Sequence, residues 1–501
     1  MASGSGVETH TVHGTVRGRT EEQLAVFRGI PYARPPVGAL RFAAPQPPPA
    51  WDGVREAVEF GPPPPQSGPF RAPGDIPGTD WLTLNVWTPD PGGSGLPVLV
   101  WIPGGGYVSG ATNDPLYDAA HIARHGLVVV TVNYRVGAEG LAQLAGAPAN
   151  RALLDQIAAL EWVRQNIARF GGNPDRVTLC GQSAGAGSIA TLLAAPRAAG
   201  LFRRAITQSV PGLYVTPALA RDVAQTFAAR LGAAPTAASL ATISPQRLAD
   251  EVDVLMAGLP AQVDRWGRLA RSGVPFCPVV DGDLVPDVPW RTLRDGRASE
   301  VGLLTGHTRD EFRPFLVLSG GLEKITEEDA TTALGTFAPA PDGERAYRAA
   351  HPGASAAALF DLVHADALFR VPSLHLADAH SAGGGTAHLY ELCWPAPALG
   401  GALGAAHGLD AQLLFGNYSA PAARLLFGED PPPAEALALA EDIRRSWASF
   451  AAHGDPGWPA YRVTDGRLTR LLDAEVSTAP YPHDASRRIW EGHGVEPFDL
   501  P

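Results

Sequence analysis

The chain has 501 residues, 45% hydrophobic and 18% charged, which is an ordinary globular composition with ample length for a large core. Its formal net charge of −12 and the lack of any Lys/Arg run argue against a nucleic-acid partner, because a phosphate backbone rewards basic patches. No stretch approaches the roughly 20 continuous apolar residues of a membrane span, so the expectation is no membrane and a cytoplasmic location.

Taken in chain order, Met1–Gly6 has neither a basic start nor an apolar core and does not read as a secretory signal. The Pro-rich stretch from Pro45 to Pro65 is the nearest thing to a linker. Trp51, Val54, Val58 and Phe60 punctuate it, so we read an ordered, Pro-stiffened surface segment. The expectation is one domain over 1–501 with long insertions. Pro97–Ile102 is a short apolar run ending at glycines, a buried strand. Leu127–Val132 is a second, rich in β-branched residues. From Ala152 to Phe170 apolar residues recur at helical steps, as Leu153, Ile157, Leu160, Val163 and Ile167, and Gly171-Gly172-Asn173-Pro174 ends that helix. Arg176–Cys180 is a third strand, and Ala184–Ala195 is small, apolar and helix-forming. Strand, helix, strand, helix points to a mainly parallel sheet covered on both faces. The segment from Leu213 to Gly273 is expected to be a helical insertion over the site.

Two patterns in this frame carry chemistry. Gly181-Gln182-Ser183-Ala184-Gly185 is a G-x-S-x-G sequence between the third strand and its helix, the setting of a nucleophile elbow. Side chains at Gly181 or Gly185 would clash in so tight a turn, and the serine backbone is strained to lift its hydroxyl above the strand ends. A chain with 56 glycines can produce this pattern by accident, so the strand before and the helix after are what give it weight. Pro103-Gly104-Gly105-Gly106-Tyr107 follows the first buried strand. Two N–H groups of that run, with the N–H of Ala184, would bind the oxyanion of a tetrahedral intermediate.

The three cysteines, Cys180, Cys277 and Cys393, are far apart and lack CxxC spacing, so we expect buried thiols, neither a disulfide framework nor a metal site. Lys324 is the single lysine; with the heavy Ala and Gly usage, this composition reads as GC-rich, bacterial coding.

Further motifs extend along the chain: Phe27-Arg28-Gly29-Ile30-Pro31-Tyr32-Ala33-Arg34-Pro35-Pro36, Leu84-Asn85-Val86-Trp87, Asn133-Tyr134-Arg135, Leu154-Asp155-Gln156, Phe170-Gly171-Gly172-Asn173-Pro174, Pro278-Val279-Val280-Asp281-Gly282 and Gly454-Asp455-Pro456. In this order, with the Gly run and the elbow, the chain resembles the type-B carboxylesterases, which include the cholinesterases and the bacterial p-nitrobenzyl-type esterases. The resemblance implies an α/β-hydrolase fold, ester hydrolysis on a small-molecule substrate without cofactor or metal, and a triad in the order Ser, acid, His. Ser183 is then the nucleophile. After a strand near Val301–Thr305, Gly306-His307-Thr308-Arg309-Asp310-Glu311 resembles the family segment that ends in the catalytic acid, which assigns Glu311 and not its neighbour Asp310. His407-Gly408-Leu409-Asp410 resembles the histidine segment and assigns His407, leaving His364, His375, His380 and His388 as helix-face or strand-end residues. Gly105 and Gly106 become the oxyanion donors beside Ala184.

Departures from the family narrow the expected substrate. The early disulfide of eukaryotic members would align at Pro64 and Trp81, and both cysteines are missing. The loop between them offers only Phe70 as an aromatic before Trp81, where cholinesterases place a Trp for a quaternary ammonium. Gln182 replaces the Glu that cholinesterases carry before the serine. Together these favour neutral, fairly hydrophobic esters over choline esters. A specialised hydrolase of carbamates, amides or polyester fragments is the alternative, and a non-catalytic cholinesterase-like binding protein is a weaker one. Pro103 stands where relatives often have His, Tyr or Asn, which alters the support of the oxyanion hole but not its expected donors.

Overall fold

The computed structural model describes residues 6–66, 68, 71, 76–93 and 95–501; Phe70 and most of Met1–Gly6 lie outside them. Thirteen strands are found among these residues: β1 Gly6–His10, β2 Thr15–Glu21, β3 Leu24–Pro31, β4 Val54–Glu56, β5 Thr83–Thr88, β6 Leu96–Ile102, β7 Val128–Val132, β8 Gly172–Gln182, β9 Arg204–Gln208, β10 Gly302–Thr308, β11 Ala387–Leu392, β12 Thr469–Leu472 and β13 Ser477–Ala479. They form one sheet in the order β1-β2-β3-β5-β7-β6-β8-β9-β10-β11-β12-β13, with β4 beside β2. Every pairing from β7 to β12 is parallel. The edges are antiparallel, through β1, β2, β3 and β5 on one side and β13 on the other.

The central strands are apolar on both faces because both are covered. Along β6, Val98, Val100 and Ile102 pack into one core with Val128, Val130 and Leu179, while Leu99 and Trp101 pack into another with Val129 and Cys180. A strand's side chains alternate between faces, so a continuous apolar run is what a doubly covered strand requires. The helices Arg151–Asn166 and Ala184–Ala194 supply the first core, through Leu153, Ile157, Leu160 and Ile189. The helix Ala434–His453 supplies the second, through Leu439, Ile443, Trp447 and Phe450. This is the expected α/β class, a mostly parallel sheet with helices on both faces.

Element boundaries differ from the sequence reading at two places that matter. The third strand begins at Gly172, since the chain pairs with β6 from Leu96 opposite Gly172 onward. The strand before the expected acid runs on to Thr308, because Gly306 pairs with Gln208 and Tyr390 on either side. The Pro-rich stretch is ordered: Trp51 donates its indole N–H to the Thr15 carbonyl at 2.9 Å, and β4 pairs with β2. Several motifs hold the frame together. Arg135 and Asp155 form a fully buried ion pair at 2.7 Å, tying the end of β7 to the helix beside it. Asn150 donates to the Val279 carbonyl at 2.9 Å and accepts from the Val279 N–H at 2.8 Å.

Within 213–273 the chain forms the helices Pro217–Arg230, Ala237–Leu240, Pro245–Ala257, Val263–Trp266 and Arg268–Ser272. Thr216, Thr236 and Ser244 cap the first three by accepting backbone N–H groups, and Pro217 and Pro245 occupy first-turn positions where a missing N–H costs nothing. No helix among the described residues is long and apolar enough to cross a membrane.

Candidate active site

The C-terminal ends of parallel strands are where open α/β sheets place their ligand sites, and three of these ends converge here. Ser183 follows β8 and opens the helix Ala184–Ala194 with φ 56° and ψ −123°, a region that costs a non-glycine residue roughly 1–3 kcal/mol. Two backbone bonds hold the turn: the Ser183 N–H donates to the Gln208 carbonyl at 2.8 Å, and its carbonyl accepts from the Gly187 N–H at 2.9 Å. The flanking glycines are required by space. A Cβ on Gly185 would stand 2.0 Å from the Ile102 carbonyl oxygen, and one on Gly181 would stand 2.8 Å from the same atom. The helix N-terminus behind Ser183 adds a partial positive charge.

The Gly run after β6 lies against this turn, since a Cβ on Gly104 would meet Ser183 Cβ at 3.2 Å. Gly105 and Gly106 adopt φ values of 127° and 60°. Among the described residues their N–H groups, and that of Ala184, donate to no backbone carbonyl. Pro103 contributes its carbonyl, which accepts from the Tyr134 hydroxyl at 2.6 Å. That bond anchors the start of the run without a polar side chain at 103.

His407 and Glu311 meet at 2.5 Å, Nδ1 to Oε2. Glu311 lies just beyond β10 and is fully buried; its other oxygen accepts the Thr308 N–H at 2.8 Å. Burial pushes its carboxyl up, but the charge and hydrogen bond of His407 and the Thr308 N–H outweigh that and hold it below the usual carboxylate range. Asp310 points elsewhere. Its side chain accepts the Ala405 N–H at 2.8 Å and its own N–H donates to the Ala405 carbonyl, so it pins the loop that carries His407. Phe369 and Phe315 cover the imidazole, with ring centroids 4.4 and 5.6 Å away. Neither Phe369 nor Phe315 stands in a local sequence pattern that would mark it, because a residue that packs on a distant ring leaves no such trace.

The group that meets the free nitrogen of His407 is Gln182, with Nε2 to Nε2 at 3.0 Å. Among the described residues no hydrogen bond joins Ser183 to His407, and catalytic contacts of this kind commonly tighten only when substrate binds.

The other histidines serve the fold. Burial lowers His364 and His375 to about 4, and His364 and His380 each bond a backbone carbonyl, of Phe360 and Val301 respectively. His388 lies within β11.

A cavity of about 540 Å³ is lined by Leu259, Ala270, Gly273, Ala333, Phe360 and His364 among others, and Ser183, Glu311 and His407 are not on its wall. Two links join it to the chemistry. Val274, next to Gly273, would touch a Cβ on Gly106 at 3.2 Å. Phe312, next to Glu311, stacks on His364 with centroids 4.4 Å apart. The walls are mainly apolar, with Arg271, Asp264 and Asp329 as the charged residues among them.

Comparison with known proteins agrees with this geometry. The sequence profile of the Carboxylesterase family matches residues 4–475. The chain is 34% identical to the para-nitrobenzyl esterase of Bacillus subtilis over 493 residues, covering 95% of this chain and 97% of that one. It is 35% identical to the phenmedipham hydrolase of Pseudarthrobacter oxydans, covering 94% and 96%. The crystal structure of a Geobacillus stearothermophilus carboxylesterase superposes with a TM-score of 0.84 at 33% identity, covering 96% of this chain and 99% of that one. Matched along nearly its whole length, the chain belongs to the carboxylesterase family of α/β-hydrolases and is a serine hydrolase of carboxylic esters.

Proposed function

We propose that Ser183, His407 and Glu311 are the triad of this hydrolase and that its substrates are neutral, fairly hydrophobic esters. The 2.5 Å contact between His407 and the buried Glu311, at the same C-terminal end of the parallel strands as the strained Ser183, is the observation that carries the reading. His407 Nε2 accepts the Ser183 proton as Oγ attacks the ester carbonyl. The N–H groups of Gly105, Gly106 and Ala184 hold the oxyanion, each worth roughly 3–4 kcal/mol in the transition state. His407 returns the proton to the leaving alcohol, and Glu311 stabilises the imidazolium between the two transfers. Water then attacks the acyl-enzyme by the same sequence, with His407 again as base.

The substrate class rests on two features. The cavity at Leu259 and Phe360 is walled mostly by carbon, and the side chain nearest the base after Glu311 is a neutral amide. A p-nitrobenzyl ester and phenmedipham, taken from the names of the relatives, belong in the test panel, and the second probes the alternative reading of a specialised hydrolase. The three unpaired, buried cysteines suit a reducing compartment such as the bacterial cytoplasm.

Covalent labelling by a fluorophosphonate tests the site. Wild-type protein labels at Ser183, and Ser183→Ala neither labels nor turns over p-nitrophenyl butyrate. A wild-type protein that fails to label ends the triad reading.

A further inference from the structure

Gln182 takes no part in the steps above, yet its amide is what touches the base. The side chain is 8% exposed and lodged between two glycines: its Oε1 would be 3.1 Å from a Cβ on Gly104, and its Nε2 3.5 Å from one on Gly408. A Cβ on Gly104 would crowd the amide, whereas one on Gly408 would stand at ordinary van der Waals distance from it.

The bond to Glu311 sets the tautomer. Glu311 accepts at Nδ1, so in the neutral ring Nδ1 carries the proton and Nε2 the lone pair. A group at 3.0 Å from that lone pair must donate, and the Gln182 NH2 does so. Once Nε2 has taken a proton the requirement reverses, and the same amide turned by half a rotation presents Oε1 as an acceptor. A carboxylate in this place could only accept, and would favour the imidazolium before any serine proton had moved.

We propose that Gln182 is a positioning residue for His407: in the resting site its amide caps the Nε2 lone pair and holds the ring in place, yields that lone pair to the Ser183 hydroxyl as substrate seats, and turns to accept from Nε2 after proton transfer. The inference rests on the triad reading above. The other groups around the ring leave this role open. Glu311 engages only Nδ1. Asp410, on the following helix, is fully buried, with its carboxyl raised by that burial and bound to the Tyr390 hydroxyl at 2.6 Å. Phe369 and Phe315 offer only ring faces and edges. Gln182 is the one polar contact on Nε2 among the described residues.

The pH dependence of kcat/KM on p-nitrophenyl butyrate decides it, measured for wild type, Gln182→Glu and Gln182→Ala, with fluorophosphonate labelling in parallel. Gln182→Glu moves the acid limb to higher pH by about one unit, since an anion at this distance favours the charged ring. Gln182→Ala, which removes donor and acceptor together, lowers kcat about tenfold with KM nearly unchanged. Gln182→Glu is nearly isosteric and keeps the test open if Gln182→Ala does not fold. A labelled, active wild type with an unmoved acid limb in Gln182→Glu overturns the role of Gln182 alone. Failure of the wild type to label overturns the triad reading and this inference with it.

Discussion

The turn around Ser183 is held by backbone, whereas the cavity at Leu259 and Phe360 is walled by side chains. At the turn, one carbonyl oxygen of Ile102 lies close enough to exclude a Cβ from both Gly181 and Gly185. In the cavity, Leu259 and Ala270 come from one stretch of chain and Ala333 and Phe360 from another more than sixty residues on, and the two meet only through packing. The turn therefore tolerates almost no change and serves any ester, while the cavity can be reshaped by single substitutions that leave the chemistry alone. That division explains how one elbow supports many substrate ranges.

Four measurements press on the contrast. Glu311→Gln leaves the shape intact but weakens the hold on the His407 tautomer. We expect kcat to fall about 10³–10⁴-fold in steady-state assays, with little change in thermal midpoint. Gly185→Ala forces a Cβ to within 2.0 Å of the Ile102 carbonyl and should cost about 3 kcal/mol by urea midpoint, with loss of activity in the remaining folded fraction. If it is tolerated, the turn is softer than its geometry states.

The third acts on the cavity wall. Burial lowers His364 to about 4 in the folded chain, against about 6.5 when unfolded. A depressed folded value means the unfolded chain binds the proton first as pH falls. The contribution is complete above pH 6.5 and is lost on the way down to about 4, on the order of 3 kcal/mol. Hydrogen exchange in Ala356–Ala365 should accelerate over that window relative to Ala184–Ala194, and His364→Gln should flatten the dependence. The smallest effect is expected from Ala333→Trp, which fills the cavity. The ratio of kcat/KM for a naphthyl ester over p-nitrophenyl acetate should drop about tenfold, with the acetate rate within twofold of wild type; equal losses on both would detach the cavity from substrate binding.

Much of the frame was legible because it is written locally. The apolar runs at 97–102 and 127–132 name strands buried on both faces, and the glycines at 181 and 185 name a turn where two chains nearly touch. Boundaries slipped where pairing decided them, as at Thr308, which stays in β10 because β11 still offers it Leu392 as a partner after the pairing with β9 has ended at Gly306. Gln182 was legible as a missing charge, but its contact with His407 joins residues 225 positions apart and leaves no local trace. The same holds for Phe315 and Phe369 over the imidazole.

Sequence alone determined the sheet class, the family and the turn that presents Ser183, since backbone sterics and strand periodicity act over a few residues. The tertiary structure alone decided what surrounds that serine. It set the Gln182 amide on the second ring nitrogen of His407, laid Phe315 and Phe369 over the imidazole, and opened an apolar cavity behind Gly273 and His364. Each of these depends on where a side chain ends after helices and strands far apart in the chain have packed, and the free energy of that packing belongs to no single segment.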